Sequence, residues 1–262
     1  MKALLKKWIN ERQRYLLRRW FAELSTIGIR DDLTALARFY KTDKWGRHFY
    51  TPHYQHHFAP FRDQPINLLE IGVGGYEHPR HGGHSLRMWK RYFPKGRIIS
   101  FDLYDKSFLE EPRIRIHQGS QVDLPFLDRV IAECGSPDLI IDDGSHINAH
   151  VIATFNHLFP VLKDGGYYVI EDTQTSYWPD HDGDSNDLAK PGTLMNHFKA
   201  LVDGLNHQEF IRPGYQPSYT DRTIVAMHFY HNLIFIRKGA NNEGSNLLVD
   251  NGAGSRNRPS HA

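Results

Sequence analysis

Short apolar runs alternate with amphipathic segments through the middle of the chain. Five runs predict buried strands at 66–71, 97–103, 114–117, 138–141 and 166–170. Between them, apolar residues three and four positions apart predict helices over 85–92, 124–134 and 148–162. Strands that alternate with helices at this spacing indicate a parallel sheet with helices on both faces.

The pattern changes near the C-terminus. After a predicted helix over 191–206, two β-rich runs at 223–230 and 232–238 follow each other almost without a break. Strands joined so tightly must pair antiparallel. The predicted fold is therefore α/β, with a mostly parallel sheet that ends in an antiparallel hairpin. This arrangement is more typical of the Rossmann-like class I methyltransferases than of dehydrogenases.

The segments outside this pattern divide the chain into three parts. Residues 1–30 predict a basic amphipathic helix, whose spread of lysine and arginine differs from that of a secretory signal. Its apolar face fits packing on its own domain or on a partner subunit of a homo-oligomer, which we favour, or peripheral contact with an anionic membrane. The main domain spans 31–238, with a helix over 32–40 and an irregular stretch over 42–63. Residues 239–262 are polar and predict a flexible tail.

Composition narrows the class of protein. The 262 residues carry 32 basic and 30 acidic side chains, and the net charge of +2 disfavours nucleic acid as a partner. The single cysteine, Cys134, excludes a disulfide framework and a multi-cysteine zinc or iron–sulfur site. No apolar run approaches the ~20 residues of a membrane span. With no secretory signal and so little cysteine, the cytoplasm is the expected location.

The first predicted strand ends in a glycine-rich turn, Leu69-Glu70-Ile71-Gly72-Val73-Gly74-Gly75-Tyr76. Glycines let a ligand approach the main chain at the carboxyl end of a parallel strand, where such sheets bind ligands. The turn lacks the third glycine of a nicotinamide-binding motif. S-adenosyl-L-methionine has no phosphate, and its cationic end can face Glu70. The turn therefore favours S-adenosyl-L-methionine.

The next two strand ends add polar groups to the same edge. Asp102 ends the second strand, where a carboxylate can accept two hydrogen bonds from a ribose diol. A solvated loop aspartate is the alternative. The segment Gln118-Gly119-Ser120-Gln121 follows the third strand, where an adenine ring would lie and polar groups could bind its edge.

Four carboxylates follow the fourth and fifth predicted strands: Asp142, Asp143, Glu171 and Asp172. Neighbouring parallel strands bring them to one edge, where so many negative charges repel one another unless a cation binds. Their oxygens suit magnesium, calcium or manganese better than zinc. Because alternate residues of a strand face opposite ways, we choose Asp143 over Asp142, and both residues at the exit of the fifth strand could reach the ion. The alternative is that these groups only cap helices and bond loops.

His146 lies three residues after Asp143 and has the side chain suited to a general base near neutral pH. A divalent ion on a substrate hydroxyl lowers the pKa of that hydroxyl. His146 could then take the proton while the oxygen attacks a methyl sulfonium. Other histidines crowd 48–57 and 78–84, where surface roles are favoured over a zinc site. The acidic loop 180–184 is either a substrate lid or a plain solvated loop.

Several long motifs, in this order, resemble the sugar O-methyltransferases of macrolide biosynthesis. They are Thr42-Asp43-Lys44-Trp45-Gly46, the glycine turn, Gly83-His84-Ser85-Leu86-Arg87-Met88-Trp89, Ile141-Asp142-Asp143-Gly144-Ser145-His146 and Val169-Ile170-Glu171-Asp172-Thr173-Gln174-Thr175. The resemblance runs from residue 33 to residue 246. It implies a magnesium-dependent enzyme that transfers a methyl group from S-adenosyl-L-methionine to a sugar hydroxyl, on a glycosylated natural product or a polysaccharide.

The resemblance also implies roles for individual residues. Asp143, Glu171 and Asp172 match the ligands of the magnesium ion, and His146 matches the base. Cofactor contacts are implied at Thr42, Glu70, Gly72, Gly74, Tyr76, Ser85, Asp102, Ser120 and Gln121. Three alternatives stay open: a methyltransferase of small catechol-like phenols, an oxidoreductase related to proteins labelled cephalosporin hydroxylases, and a carbohydrate-binding module without catalysis.

Overall fold

The computed structural model describes residues 10–245, which contain one seven-stranded mixed sheet. Its strands are β1 (Asn67–Ile71), β2 (Arg97–Asp102), β3 (Ile114–Gln118), β4 (Leu139–Asp142), β5 (Tyr167–Glu171), β6 (Ile224–Tyr230) and β7 (Leu233–Lys238). Their order across the sheet is β3-β2-β1-β4-β5-β7-β6. The first five in that order are parallel, whereas β7 pairs antiparallel with both β5 and β6. The predicted fold class is confirmed.

Helices cover both faces of this sheet. They are α1 (Glu11–Ser25), α2 (Leu33–Tyr40), α3 (Thr51–Phe58), α4 (His84–Tyr92), α5 (Leu124–Cys134), α6 (Asn148–Leu158), α7 (Leu194–Gly204) and α8 (Tyr219–Thr223). No helix within residues 10–245 is long and apolar enough to cross a membrane.

Successive residues of the central strands pack into two different cores, because side chains alternate between the faces of a strand. On β1, Leu68 belongs to the core that contains Tyr54 of α3 and Trp89 of α4. Its neighbour Leu69 belongs to the core that contains Phe155 of α6. The strands are thus buried on both faces, and the polar groups of a site are left to the strand ends.

Two of the predictions about helices, one missed helix and one helix end, are wrong for identifiable reasons. The stretch 42–63 is not irregular throughout, since α3 begins at Thr51 and buries Tyr54 and His57. The buried positions of α3 include a histidine, so its apolar spacing is hard to see in the sequence. The helix predicted over 148–162 ends at Leu158 and continues as a 3₁₀ turn that contains Pro160, because proline cannot donate the backbone hydrogen bond of an α-helix.

The described parts of both terminal segments contact the domain. Asn10 caps α1. The Tyr15 hydroxyl lies 3.0 Å from Oε1 of Glu111, and this contact anchors α1 to the domain. Beyond β7, the Gly239 amide donates to the carbonyl oxygen of Thr223 at 2.9 Å. Residues 1–9 of the predicted N-terminal helix and 246–262 of the predicted tail lie outside the described residues.

Candidate active site

The ends of three parallel strands meet at the carboxyl edge of the sheet. Strand β1 pairs with β4 so that Ile71 lies beside Asp142, and β4 pairs with β5 so that Asp142 lies beside Ile170. The residues that follow these positions, Gly72 and Asp143 among them, therefore lie at one edge. Open parallel sheets bind their ligands at this edge.

Three glycines of the turn after β1, Gly72, Gly74 and Gly75, have a positive φ. Gly72 has a φ of +93°, and a Cβ atom there would lie 2.2 Å from the carbonyl oxygen of Asp143. Only glycine lets these two loops approach so closely. Gly74 has a φ of +75°, and a Cβ atom there would meet nothing within 4 Å. The turn therefore has open space beside its main chain, and Tyr76 next to it is 83% exposed.

Asp102 flanks the glycine turn. Its Oδ2 accepts a hydrogen bond from the Val73 amide at 3.0 Å, and its Oδ1 accepts one from the Tyr104 amide at 3.0 Å. Each carboxylate oxygen has a further lone pair, because a carboxylate offers about four acceptor positions. The carboxylate is thus fixed beside the turn and can accept more hydrogen bonds.

Glu70 is fully buried beneath the same turn. Its Oε2 accepts a hydrogen bond from Ser85 Oγ at 3.1 Å, and its Oε1 lies 3.3 Å from Nζ of Lys44. Burial raises the pKa of Glu70 to about 7, although the neighbouring ammonium lowers it in part. Strand β1 and the start of α4 therefore bring together Glu70 and Ser85, which are both among the implied cofactor contacts.

The other predicted cofactor contacts lie in loops around this edge. Thr42 is buried, and its Oγ1 lies 3.4 Å from Oδ1 of Asp43. Ser120 lies in the turn after β3, where its Oγ accepts a hydrogen bond from the Val122 amide at 3.4 Å. Gln121 lies deeper, since both ends of its amide have protein partners.

Gln121 supports the loop that follows β4. Its Oε1 accepts a hydrogen bond from the Ser145 amide at 2.7 Å, and its Nε2 lies 3.4 Å from Oδ1 of Asp142. Asp142 is itself buried against the Tyr168 hydroxyl, 3.3 Å away, and burial raises its pKa to about 6. Asp143, in contrast, has a quarter of its side chain exposed. The two neighbouring aspartates therefore occupy different environments.

Asp143, His146 and Asp172 converge at the sheet edge. Nε2 of His146 lies 3.8 Å from Oδ1 of Asp143 and 3.8 Å from Oδ2 of Asp172. One ligand atom from each residue lies within 4.8 Å of the others. Among residues 10–245, this is the one group of three or more such side chains placed to hold a metal ion. Glu171 lies beside it, with Oε1 facing Lys44.

Lys44 is a buried residue of the candidate site to which the sequence pattern assigns no role. Its side chain is fully buried, and its Nζ lies 2.8 Å from Oδ2 of Asp143 and 2.6 Å from Oε1 of Glu171. Burial alone would lower the pKa of this ammonium, but Asp143, Glu171 and Glu70 raise it well above its usual value. Its only signal in the sequence is its position in the first of the resembling motifs.

Two tyrosine hydroxyls bind the carboxylates that follow or end β5. The Tyr50 hydroxyl lies 2.7 Å from Oδ1 of Asp172, and the Tyr54 hydroxyl donates to Oε1 of Glu171. Burial would raise the pKa of Asp172, but the hydrogen bond from Tyr50 and the nearby imidazoles of His146 and His48 lower it. Asp172 is therefore kept ionised. Hard carboxylate oxygens at this spacing fit a magnesium ion better than a soft metal.

The clustered histidines form separate contacts. His57 Nε2 lies 3.0 Å from the Tyr230 hydroxyl, and its ring centroid lies 4.6 Å from that of His228. Burial lowers the pKa of His57 to about 4, so this ring is neutral at physiological pH. His78 and His81 stack on each other at 3.7 Å. None of these four belongs to the group of possible metal ligands found among residues 10–245.

The loop that contains the acidic segment 180–184 is tied to the start of α6. Asn148 is fully buried, and its Nδ2 donates to the carbonyl oxygen of His181 at 2.6 Å. Its Oδ1 accepts a hydrogen bond from the Leu194 amide, also at 2.6 Å. One side chain thus holds both the middle and the end of the connection from β5 to α7.

Several curated proteins are similar to this chain. It is 50% identical over 215 residues to mycinamicin VI 2''-O-methyltransferase of Micromonospora griseorubida. The alignment covers 81% of this chain and 54% of that protein. It is 49% identical over 215 residues to demethylmacrocin O-methyltransferase of Streptomyces fradiae, with the same coverage. It is 49% identical over 210 residues to 8-demethyl-8-alpha-L-rhamnosyl tetracenomycin-C 2'-O-methyltransferase of Streptomyces olivaceus, with 80% and 55% covered. No protein-family model matches the chain.

A solved structure shares the fold. The MycE methyltransferase from the mycinamycin biosynthetic pathway, in complex with Mg and SAH, matches with a TM-score of 0.78 and 50% identity. The match covers 81% of this chain and 56% of that one. Another structure of MycE, in complex with Mg, SAH and mycinamycin VI, matches with a TM-score of 0.77.

These matches cover most of this chain but only part of its relatives. The chain spans about half the length of the curated relatives it matches. Over about four fifths of its own length, the chain is a homologue of the bacterial sugar O-methyltransferases and has the class I methyltransferase fold of the region that they share.

Proposed function

We propose that this chain is an S-adenosyl-L-methionine- and magnesium-dependent O-methyltransferase that acts on a sugar hydroxyl. The observation that carries the proposal is the convergence of Asp143, His146 and Asp172 beside an open glycine turn. The chain is 49–50% identical to three sugar O-methyltransferases, and this similarity supports the same activity.

The cofactor would lie along the glycine turn. Asp102 has free acceptor positions for a ribose diol, and the carboxylate of Glu70 places negative charge beside the turn. That charge suits the cationic methionine end of S-adenosyl-L-methionine. We propose these cofactor-binding residues: Thr42, Glu70, Gly72, Gly74, Tyr76, Ser85, Asp102, Ser120 and Gln121.

The magnesium ion would be held by Asp143, Glu171 and Asp172. Oδ1 of Asp143 and Oδ2 of Asp172 each lie 3.8 Å from Nε2 of His146, so both oxygens face the same region as the imidazole. Glu171 adds a third carboxylate from the end of β5. A magnesium ion bound there supplies Lewis acidity, which favours ionisation of a hydroxyl group.

His146 would act as the general base. Its Nε2 takes the proton of the acceptor hydroxyl as the oxygen forms a bond to the methyl carbon. The bond between that carbon and the sulfonium sulfur breaks, and its electron pair stays on sulfur in S-adenosyl-L-homocysteine. His146 is one quarter exposed, so it can return the proton to solvent.

The acceptor that we propose is a sugar of a glycosylated natural product or of a polysaccharide. A structure of MycE contains mycinamycin VI together with Mg and SAH. The test is calorimetric titration of S-adenosyl-L-methionine with and without magnesium, followed by a methyl-transfer assay on a glycosylated macrolide and on a catechol. Methylation of the catechol alone would favour the phenol-methylating alternative. Failure to bind S-adenosyl-L-methionine would contradict the proposal.

We also propose that the chain forms a homo-oligomer through α1. Four apolar side chains of this helix, Leu17, Trp20, Phe21 and Leu24, are between 44% and 59% exposed at a spacing of three and four residues. An exposed apolar stripe of this kind is typical of a surface that contacts another protein or a membrane. Contact with an anionic membrane is the competing role. The cytoplasmic location and the division into 1–30, 31–238 and 239–262 stay predictions from the sequence.

A further inference from the structure

A single lysine links the two halves of the candidate site. Nζ of Lys44 lies within 3.3 Å of three carboxylates, which come from the end of β1, the loop after β4 and the end of β5. Glu70 belongs to the proposed cofactor site, whereas Asp143 and Glu171 belong to the proposed metal site. We propose that Lys44 is a positioning residue that orients the carboxylates for magnesium. This inference rests on the proposed function.

The use of the carboxylate oxygens supports this role. Oδ2 of Asp143 accepts a hydrogen bond from Lys44, whereas Oδ1 of Asp143 faces His146. Oε1 of Glu171 accepts a hydrogen bond from Lys44, and Oε2 of Glu171 can therefore bind another partner. The ammonium therefore takes one oxygen of each carboxylate and fixes the direction of the other. Groups that orient metal ligands in this way tune the affinity and geometry of a site.

The segment that carries Lys44 contacts every proposed metal ligand. Lys44 contacts Asp143 and Glu171, the Tyr50 hydroxyl contacts Asp172, and the Tyr54 hydroxyl contacts Glu171. The amide of Tyr50 also donates to the carbonyl oxygen of Lys44 at 3.1 Å. The loop before α3 and the first turn of that helix thus act as one support for the three carboxylates.

A lysine that only neutralises charge would behave differently from one that positions ligands. Removing a nearby positive charge strengthens the attraction of the carboxylates for any divalent cation. Removing a positioning group instead weakens binding, and magnesium suffers more than calcium. The reason is that magnesium demands near-ideal octahedral geometry, whereas calcium accepts flexible coordination.

The test is calorimetric titration of MgCl₂ and of CaCl₂ into the wild-type chain and into Lys44→Met. We expect the affinity for magnesium to fall by about 10- to 100-fold, the range found when such supporting groups are removed. The ratio of magnesium to calcium affinity should fall as well. Lys90→Met is the matched control, because Lys90 is also buried and lies 2.9 Å from Glu111, away from the site. This control should bind both ions like the wild type.

Each result separates the possible explanations. Unchanged or tighter magnesium binding by Lys44→Met, with the wild-type ratio, would overturn the positioning role. If this variant does not fold, Lys44→Arg keeps the charge, but a planar guanidinium cannot place one donor between three carboxylates. A wild-type ratio in Lys44→Arg would likewise overturn the inference. A wild-type chain that binds no magnesium would instead contradict the proposed function.

Discussion

Nε2 of His146 lies 3.8 Å from Oδ2 of Asp172, and both residues have a left-handed backbone, with φ of 56° and 54°. Non-glycine residues adopt this conformation at a cost of about 1–3 kcal/mol each when the surrounding structure imposes it. Asp172 lies directly beyond the end of β5, and His146 lies in the loop four residues beyond the end of β4. The two strained turns aim an imidazole and a carboxylate at the same point, and such strain concentrates at functional sites.

The first prediction concerns the proposed base. His146→Ala should lower kcat by about 10²–10⁴-fold, because an unactivated sugar hydroxyl must lose its proton when it is methylated. The affinity for S-adenosyl-L-methionine should change little, since the role proposed for His146 is toward the acceptor hydroxyl and not toward the cofactor. His157→Ala serves as the control, because that histidine lies on α6 and pairs with Asp128 at the surface. A rate for His146→Ala within about threefold of the wild type would contradict the assignment.

The second prediction concerns the metal. Asp143→Asn should abolish turnover and leave binding of S-adenosyl-L-methionine largely intact, because the metal that we propose this carboxylate to hold would activate the acceptor and not the cofactor. Steady-state rates and calorimetry of the cofactor measure the two effects. Asp128→Asn, at an exposed position of α5, should leave both unchanged. Full wild-type activity in excess chelator would rule out the metal requirement.

Periodicity predicted the strands and most helices because their residues face one or two apolar cores. It failed at α3, where the buried residues include His57 and where the polar surroundings conceal the helical spacing. The helical spacing runs past the end of α6, because Pro160 permits a 3₁₀ turn but ends the α-helix. The first failure thus arises where a buried residue is not apolar, and the second where a proline interrupts the backbone hydrogen bonds of a helix.

The sequence predicts those residues of the site that directly follow the ends of strands. Asp143 and Asp172 follow neighbouring strands, so the topology alone brings them together. Lys44 could not be found this way, because it lies in a loop 99 residues before Asp143 and only packing places it between the carboxylates. The surroundings of Gln121 could not be predicted either, since its side chain lies beneath the loop rather than in the open turn.

The third prediction concerns the ribose. Asp102→Ala should weaken S-adenosyl-L-methionine binding by about 1.5–3 kcal/mol, the loss typical of hydrogen bonds to a charged group. This corresponds to roughly ten- to a hundredfold in affinity. Calorimetry measures the change, and Asp105→Ala in the following exposed loop is the matched control. An unchanged affinity would show that the ribose is held elsewhere.

The fourth prediction concerns assembly. The double substitution Trp20→Glu and Phe21→Glu places charges in the exposed stripe of α1, so it should lower the molar mass measured by light scattering. Both side chains are more than half exposed, so folding should be retained. Val202→Glu, at an exposed apolar position of α7, is the control. An unchanged mass, with lost binding to anionic vesicles, would favour the membrane role.

The last prediction concerns the pH dependence of cofactor binding. The pKa of Glu70 is raised to about 7 by burial, so its carboxylate gains a proton as the pH falls through neutrality. Only the ionised form places negative charge beside the glycine turn. The affinity for S-adenosyl-L-methionine should therefore fall by about tenfold between about pH 8 and about pH 6. Below neutrality, binding should also release a proton, which calorimetry in buffers of different ionisation enthalpy detects.

Glu70→Gln separates this effect from other titrating groups. A glutamine has nearly the same shape and is neutral throughout, so its affinity should be low at both pH values and nearly independent of pH. The buried Asp142, whose pKa is raised to about 6, faces Tyr168 and Gln121 rather than the turn. Asp142→Asn should therefore keep the wild-type pH dependence of cofactor binding. If Glu70→Gln retained that dependence, the titrating group would have to lie elsewhere, and the role of Glu70 beside the cationic end of the cofactor would be wrong.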